Sequence, residues 1–475
     1  MAVGAEESQG LQPSEPGIES AWLNRQRAWL ESRANILGLV GFCFAVGIGL
    51  ANQLAFGFAG DLDLLGSGLT LAVAGLVAGA GIAVALTRRL GRWHLAIAAT
   101  AFGTTIAPVV SAMAHSERVL PQAIALSLAA SGAVLCAGAA KPGTIRSVAF
   151  WTLAAIIWVS LALAVANLLF GGEAAFRNHY YPRYSEYLGL PVLSGITGHQ
   201  NTLGFIAAIA LPVQWVIADG KSVIRRRLRA EPRTLLLVAL GPVATAIALL
   251  WSQSRTSLAA AVLGLIVVSL PLRRLAGRTW AFAWAGLLAV LALGPLAVGL
   301  VGITTFTGRV EMWTYAFADF RANPLFGYGS AFMGRDGYWR DKPTFPDLFG
   351  AHNQLMEMLG RTGMIGAISF TAMAVVLAVA AWKVHQRDGG VAAAIIVVYA
   401  LIGSLETLIP LAQAQAVGLR EVFTPMILAL GLIASSLALV SRRGDGKDNQ
   451  DAPVSRNAPH DVGRPARRRL PGQPS

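Results

Sequence analysis

Residues 147–170 read SVAFWTLAAIIWVSLALAVANLLF and contain no charged side chain. An α-helix needs about 20 apolar residues to cross the hydrocarbon core of a bilayer, and this run is long enough. Similar runs recur along the chain at about 34–58, 64–87, 95–114, 119–140, 200–218, 234–251, 256–272, 279–302, 363–382, 391–410 and 421–440. The pattern predicts an all-α fold, a polytopic membrane bundle of about 12 transmembrane helices.

The composition favours the same class of protein. Hydrophobic residues make up 55% of the chain and charged residues only 13%, whereas soluble domains carry about 25% charged residues. The net charge of +13 could indicate a nucleic-acid partner, but the cations lie between the apolar runs and in the C-terminal tail, which argues against one. Cys43 and Cys136 lie inside apolar runs and offer neither a disulfide framework nor a metal site. We expect no cofactor.

Lysine and arginine predict the orientation. One alternate set of short loops (88–94, 141–146, 219–233, 273–278 and 383–387) holds 16 of them, and the opposite set, without the long loop at 304–353, holds 5. Because the richer set faces the cytoplasm in membrane proteins, both termini are predicted to be cytoplasmic in a multi-pass protein of the cytoplasmic membrane.

Five segments follow from this topology. We predict a cytoplasmic tail at 1–32 with a possible interfacial helix at 21–30, spans one to nine at 33–302, and an extracytoplasmic loop at 303–362. Spans ten to twelve follow at 363–440, and a disordered basic cytoplasmic tail ends the chain at 441–475. Long loops often carry function, so we expect short helices and half of an active site in 303–362.

Arg309 opens the predicted helix of this loop, over about 309–321. At 100° per residue it falls near the centre of an apolar stripe formed by Met312, Trp313, Ala316, Phe317 and Phe320. A buried guanidinium needs a partner, which a protein carboxylate or a bound phosphate could supply.

His352 lies where the loop returns to the membrane. Its helical alignment with Leu355, Met356 and Leu359 fits a core histidine as well as a catalytic one. The junction favours a base or an acceptor-orienting group, because imidazole accepts protons near neutral pH.

Three further outward sites carry polar groups. Arg255 follows span seven in Ser252-Gln253-Ser254-Arg255, where neighbouring hydroxyls could help bind an anion, or the arginine could snorkel to the interface. His199 opens span six, after a tyrosine-rich loop at 177–184 that suits either sugar stacking or an interfacial belt. Asp61 and Asp63 form an Asp-x-Asp sequence that could hold a divalent ion or cap a helix.

Together, four segments resemble the O-antigen ligase and polysaccharide polymerase family of bacterial membrane glycosyltransferases. They are Gly198-His199-Gln200-Asn201-Thr202-Leu203-Gly204, Ser252-Gln253-Ser254-Arg255, Gly308-Arg309 through Trp313 followed by Asn323-Pro324-Leu325-Phe326-Gly327-Tyr328-Gly329, and Ala351-His352-Asn353-Gln354-Leu355 with Glu357 and Gly363. The resemblance covers about 195–370. This chain departs from the family by placing His199 before Gln200-Asn201.

The resemblance implies a GT-C-like fold and a metal-independent transfer of a glycan from undecaprenyl diphosphate to an acceptor hydroxyl on the outer face of the membrane. Arg255 and Arg309 would bind the diphosphate, and His352 would orient or deprotonate the acceptor. Further substrate contacts are expected from His199, Asn201, Ser254, Trp313 and Asn353. The expected partners are the lipid-linked oligosaccharide donor, a lipid or glycan acceptor and membrane lipids.

Three alternatives stay open. A ligase and a polymerase share this donor chemistry and differ only in the acceptor. A metal-dependent polyprenyl-sugar glycosyltransferase would use Asp61 and Asp63. A flippase for lipid-linked oligosaccharides would need charged groups within its spans, and Glu406 is the clear intramembrane carboxylate candidate, although it could also cap a helix or pair with an arginine.

Overall fold

The computed structural model describes residues 18–59, 66–88, 90–116, 121–176, 189–218, 232–269, 283–290, 293, 297, 309–329, 332, 351–406 and 423–444. Within them the fold is all-α, as predicted. The helices are α1 Ile18–Ala59, α2 Gly66–Arg88, α3 Arg92–Ala114, α4 Pro121–Ala139, α5 Pro142–Phe170, α6 Gln200–Ala218, α7 Pro232–Ser252, α8 Arg255–Ser269, α9 Arg309–Ala322, α10 Gln354–Asp388, α11 Val391–Leu405 and α12 Phe423–Gly444, with a 3-10 turn at Gly195–Thr197.

Apart from 279–302, each predicted apolar run coincides with one of these helices; of 279–302, the structure describes only 283–290, 293 and 297. By length and composition, five helices contain candidate membrane spans, and further apolar helices are shorter, within the residues that could be searched. The candidate spans are Ala28–Ala51, Leu69–Arg88, Arg92–Ala114, Pro142–Phe170 and Gln354–His385. The chain is therefore a helical membrane protein, and the count of about twelve spans stays a prediction.

Small residues allow the helices to pack closely. A methyl group at Gly132 of α4 would run into the backbone of Val77 and Ala78 in α2, and one at Gly81 would meet the backbone of Gly132. Helices in a bilayer associate mainly through such close van der Waals packing, because lipid tails are as apolar as the side chains. The glycines thus let α2 and α4 approach to backbone contact.

The helix ends gather at two ends of the bundle. At one end, Arg88 donates to the carbonyl of Ala139 (2.7 Å), and Arg146 donates to the Ser436 hydroxyl (3.1 Å). At the other, which we call the site end, Asn353 donates to the carbonyl of Ser404 (2.9 Å). The described parts of the predicted cytoplasmic loops lie at the first of these two ends. The described residues that are predicted to face outward lie at the site end.

The start of the chain belongs to a long helix. Residues 21–30, for which a possible interfacial helix is predicted, lie in the first turns of α1, which runs for 42 residues. Such a helix is about 63 Å long, roughly twice the thickness of the hydrocarbon core. Asn35 lies at the Arg88 end, where its side chain accepts the Lys141 N–H (2.6 Å), so the turns before it extend past that end.

Candidate active site

Glu406 joins Arg309 and His352. Its Oε1 accepts a hydrogen bond from Arg309 Nη2 (2.8 Å), and its Oε2 lies 2.8 Å from His352 Nδ1. The three side chains are 20%, 16% and 34% exposed for Arg309, Glu406 and His352 respectively. The two functional residues predicted in the long loop are therefore held together by one partly buried carboxylate.

The geometry leaves one nitrogen of His352 and two of Arg309 available to a ligand. With Nδ1 facing the carboxylate, the imidazole is held in the tautomer that carries its proton on Nδ1, which makes Nε2 the acceptor. Among the described residues Nε2 makes no hydrogen bond. The Nε and Nη1 groups of Arg309 likewise make none there, so they can bind an anion beside Glu406.

Glu406 directly follows the last residue of α11 and caps that helix through a backbone bond to the carbonyl of Ile402. Burial raises the pKa of its carboxyl group. The hydrogen bond and charge of His352 and the charges of Arg309 and His199 outweigh burial and hold the pKa below its usual range. Glu406 is therefore ionised at neutral pH, and His199 is close enough to contribute to that shift.

Helix α9 begins at Arg309, as predicted, but its buried face differs from the predicted stripe. Phe317 is 46% exposed, whereas Asp319 is buried. Met312, Trp313 and Ala316 of the predicted stripe are buried, and Phe320 is half-buried. Arg309 lies on the side of these buried residues, in the first turn of α9, where the Glu406 carboxylate reaches it.

His352 precedes α10 instead of lying on it. The helix starts at Gln354, with Asn353 as its cap, since the Asn353 side chain accepts the Met356 N–H (3.0 Å). His352 has a φ of 44°, a left-handed conformation uncommon outside glycine. The helical alignment predicted for His352 is therefore wrong. Leu355, Met356 and Leu359 are only partly buried, and the polar face is the buried one: Asn353, Gln354, Glu357 and Arg361.

The predicted boundary between loop and span falls at a break in α10. Gly363 has non-helical angles (φ 60°, ψ −151°) and separates a short helix at 354–362 from the long apolar part. The turn after α9 supplies hydrogen bonds on both sides of the break. The Met364 N–H donates to the carbonyl of Pro324 (2.8 Å), and the Tyr328 N–H donates to the carbonyl of Gly360 (2.9 Å).

The end of α3 holds this turn in place. The Ser111 hydroxyl lies within hydrogen-bonding distance of the carbonyls of Phe326 (2.6 Å) and Arg361 (3.0 Å). His115 Nε2 lies 2.7 Å from the carbonyl of Gly327. The motif at 323–329 thus has a structural role, because it links the end of α3 to the break in α10.

Arg255 is the first residue of α8, and its side chain is exposed. Helices α8 and α11 pack antiparallel, since Gly264 lies against Val398 and Gly390 against Val268. The start of α8 therefore lies at the same end of the bundle as Glu406. Ser254 is buried, and its hydroxyl donates to the Ser257 hydroxyl (2.8 Å).

The start of α6 also lies at the site end of the bundle. Gly204 lies against the side chains of Ser252 and Ser254. His199 is partly exposed, and its Nδ1 accepts the Asn201 N–H (3.2 Å). The predicted contact residues His199, Asn201 and Ser254 thus lie around one turn at the site end.

Trp313 and Asn353 are both buried and use their side-chain donors within the protein. Trp313 Nε1 donates to the carbonyl of Ala351 (2.9 Å), and Asn353 donates to Ser404. Their substrate contacts stay a prediction. Asp61, Asp63 and the tyrosine-rich loop at 177–184 lie outside the described residues. In the part of the chain that is described, no group of three or more His, Cys, Asp or Glu residues could hold a metal ion.

Sequence reasoning did not assign Glu406 to the site, nor the buried pair Glu357 and Arg361. The available signal for Glu406 was its charge. A lone carboxylate next to an apolar run needs a cation as partner, and Arg309 needs an anion. For Glu357 and Arg361, the four-residue spacing of opposite charges on one helix was the available signal.

Comparison with known proteins bears on the resemblance that the four segments indicate. No curated protein matches the chain. Residues 240–371, which carry Arg255, Arg309 and His352, match the family model described as O-antigen ligase, and this match confirms the predicted resemblance of the chain to the O-antigen ligase-like family.

Proposed function

We propose that this protein transfers a glycan from undecaprenyl diphosphate to an acceptor hydroxyl on the outer face of the bacterial cytoplasmic membrane, as an O-antigen ligase or polysaccharide polymerase. The family match supports a membrane enzyme of ligase or polymerase type. The observation that carries the finer proposal is the Glu406 carboxylate shared by Arg309 and His352.

In this proposal His352 is the base. Its Nδ1 donates to Glu406, so Nε2 takes the proton of the acceptor hydroxyl as the hydroxyl oxygen attacks the anomeric carbon of the donor sugar. The neighbouring carboxylate stabilises the imidazolium that forms, as a carboxylate does in a catalytic triad.

Arg309 and Arg255 receive the leaving group. A new glycosidic C–O bond forms, the C–O bond to the diphosphate breaks, and undecaprenyl diphosphate departs with additional negative charge. Fixed guanidinium groups stabilise that charge where it develops, and this stabilisation requires no metal ion. The available Nε and Nη1 groups of Arg309 provide the donors. His199, Asn201 and Ser254 are the proposed contacts to the sugar or diphosphate.

The position of Glu406 favours an enzyme over a flippase. The flippase alternative depends on a charge in the middle of a span. Glu406 instead follows α11, at the site end, and is paired with two basic side chains.

The test is the release of undecaprenyl diphosphate from a lipid-linked oligosaccharide by the purified full chain in nanodiscs, with EDTA and candidate acceptors from the source envelope. We expect acceptor-dependent release by wild type, and losses of about 10²- to 10⁴-fold in His352→Ala and Arg309→Ala. Arg255→Ala is expected to lose activity as well.

Arg321→Ala is the matched control. Arg321 is an exposed arginine at the far end of α9, and its guanidinium lies over the Phe317 ring, so its removal should leave the rate unchanged. No release with any acceptor, together with movement of the intact donor across the membrane, would establish a flippase instead. Loss of release with EDTA would favour the metal-dependent alternative.

A further inference from the structure

The peptide that carries His352 is anchored on both sides. On one side the Ala351 N–H donates to Glu357 Oε2 (2.7 Å), and the Ala351 carbonyl accepts from Trp313 (2.9 Å). On the other, Asn353 is fixed through its own side chain to Ser404. His352 spans these anchors in its left-handed conformation. A non-glycine residue holds such a conformation only when the surroundings impose it.

Glu357 is itself held by a buried partner. Its Oε1 accepts from Arg361 Nε (2.9 Å) and lies 2.8 Å from Arg361 Nη2, one turn further along α10. Both side chains are 1% exposed. Neither Arg361 Nη1 nor Nη2 makes a hydrogen bond within the described residues, and the Phe332 ring lies 5.5 Å from the guanidinium carbon. The guanidinium therefore depends on Glu357 for its counter-charge, and it fixes the Glu357 carboxylate beneath Ala351.

We propose that Glu357 is a positioning residue for His352 and acts through the Ala351 amide, with Arg361 setting its orientation. This inference rests on the proposed function, in which His352 is the base. Without the Glu357 acceptor, the Ala351 peptide can rotate, and His352 Nδ1 moves away from Glu406. A displacement of about 1 Å in such a group can cost on the order of 100-fold in rate.

Replacing one member of the pair alone would leave a buried charge and disturb folding. The test therefore compares two double variants, Glu357→Met/Arg361→Met and Glu357→Gln/Arg361→Met. Both remove the charge pair, and only the second keeps an oxygen that can accept the Ala351 N–H. Readouts are thermal stability, kcat and KM for the donor in nanodiscs, and hydrogen exchange of the peptide that contains Ala351.

For Glu357→Met/Arg361→Met we expect a folded protein with a donor KM within about twofold of wild type, a kcat lower by on the order of 10- to 100-fold, and faster exchange at Ala351. Glu357→Gln/Arg361→Met should recover most of the rate and the protection. Equal kcat values and equal exchange in the two double variants would overturn the proposal.

Failure of the proposed function can be distinguished from failure of this inference. If wild type transfers no glycan, or if His352→Ala keeps full activity, His352 is not the base. The exchange comparison between the two double variants still decides whether Glu357 anchors the peptide. Faster exchange only without the acceptor supports the anchor, and equal exchange rejects it.

Discussion

At the scale of single residues, the Glu406 carboxylate makes two contacts, one through each oxygen, with Arg309 and with His352. Without Glu406, the Arg309 guanidinium and the His352 imidazole would face each other without the anion between them. Because a carboxylate fixes both the tautomer and the direction of an imidazole, it determines whether Nε2 can act as a base. In the proposed mechanism, Glu406 thus connects the binding of the leaving group with the deprotonation of the acceptor.

Replacing Glu406 by glutamine tests this connection. Glu406→Gln keeps the size of the side chain and removes its charge, so Nδ1 of His352 loses its anionic acceptor. We expect kcat to fall by about 10²- to 10⁴-fold, with a smaller change in the KM for the donor. Glu173→Gln is a control at an exposed glutamate beyond α5. An unchanged kcat in Glu406→Gln would show that His352 does not need the carboxylate.

Acidic pH offers a second test of the same residue. The pKa of Glu406 lies below its ordinary value of 4.5, so the ionised form stabilises the fold. This stabilisation is complete above about pH 4.5 and is lost as the pH falls through the lower pKa of the folded state. The melting temperature of wild type should therefore exceed that of Glu406→Gln at pH 5, and the difference should vanish under more acidic conditions. A difference that vanishes between pH 7 and pH 5 would contradict the assignment.

At the scale of elements, the break in α10 connects the site to the membrane. Pro324 and Tyr328 in the turn after α9 complete hydrogen bonds that the α10 backbone cannot make across Gly363. The break lets the short helix at 354–362 point independently of the span below it. Because α9 and the short helix carry Arg309 and the His352 anchors, the turn sets the distance between the two halves of the site.

Gly363→Ala should disrupt the break in α10. Its φ of 60° is unfavourable for alanine, and the added methyl group would collide with the Leu325 carbonyl. We expect a loss of at least about 1–3 kcal/mol in stability from the backbone strain, with reduced activity. Gly75→Ala in α2 is a control, because nothing lies near the added methyl group there. Thermal unfolding in nanodiscs measures both variants, and equal melting temperatures would refute the role of Gly363.

At the scale of the whole molecule, helix packing brings the site together from distant parts of the chain. Arg309 and Glu406 are 97 positions apart, and His352 and Glu406 are 54 apart. The antiparallel pairing of α8 with α11 brings the start of one helix beside the end of the other. The predicted orientation then places these groups on the outer face, where the proposed lipid-linked donor would reach them.

Cysteine labelling tests that orientation. In a chain with Cys43→Ala and Cys136→Ala, Glu173→Cys at the site end should react with a membrane-impermeant maleimide added to intact spheroplasts. Lys141→Cys, at the opposite end, should react only in inverted vesicles. The opposite pattern would place the site in the cytoplasm and exclude an extracytoplasmic donor.

The sequence by itself determined the helical membrane class, the position of nearly every described helix and the two residues of the long loop that share a carboxylate. Apolar length and the distribution of lysine and arginine are local properties, so they can be read along the chain. It also supplied Gly363 as a boundary and the four segments that resemble the O-antigen ligase family, which the family match supports.

Only the tertiary structure decided which groups meet. Helical periodicity predicted that His352 lies on a helix and that Glu357 and Arg361 point away from its packed face. That prediction assumes that one regular helix continues through the motif. The chain instead makes a left-handed turn at His352 and begins its helix at Gln354, which buries the polar face. Glu406, the shared partner of Arg309 and His352, lies just after the end of α11, and a contact between distant positions depends on packing rather than on spacing.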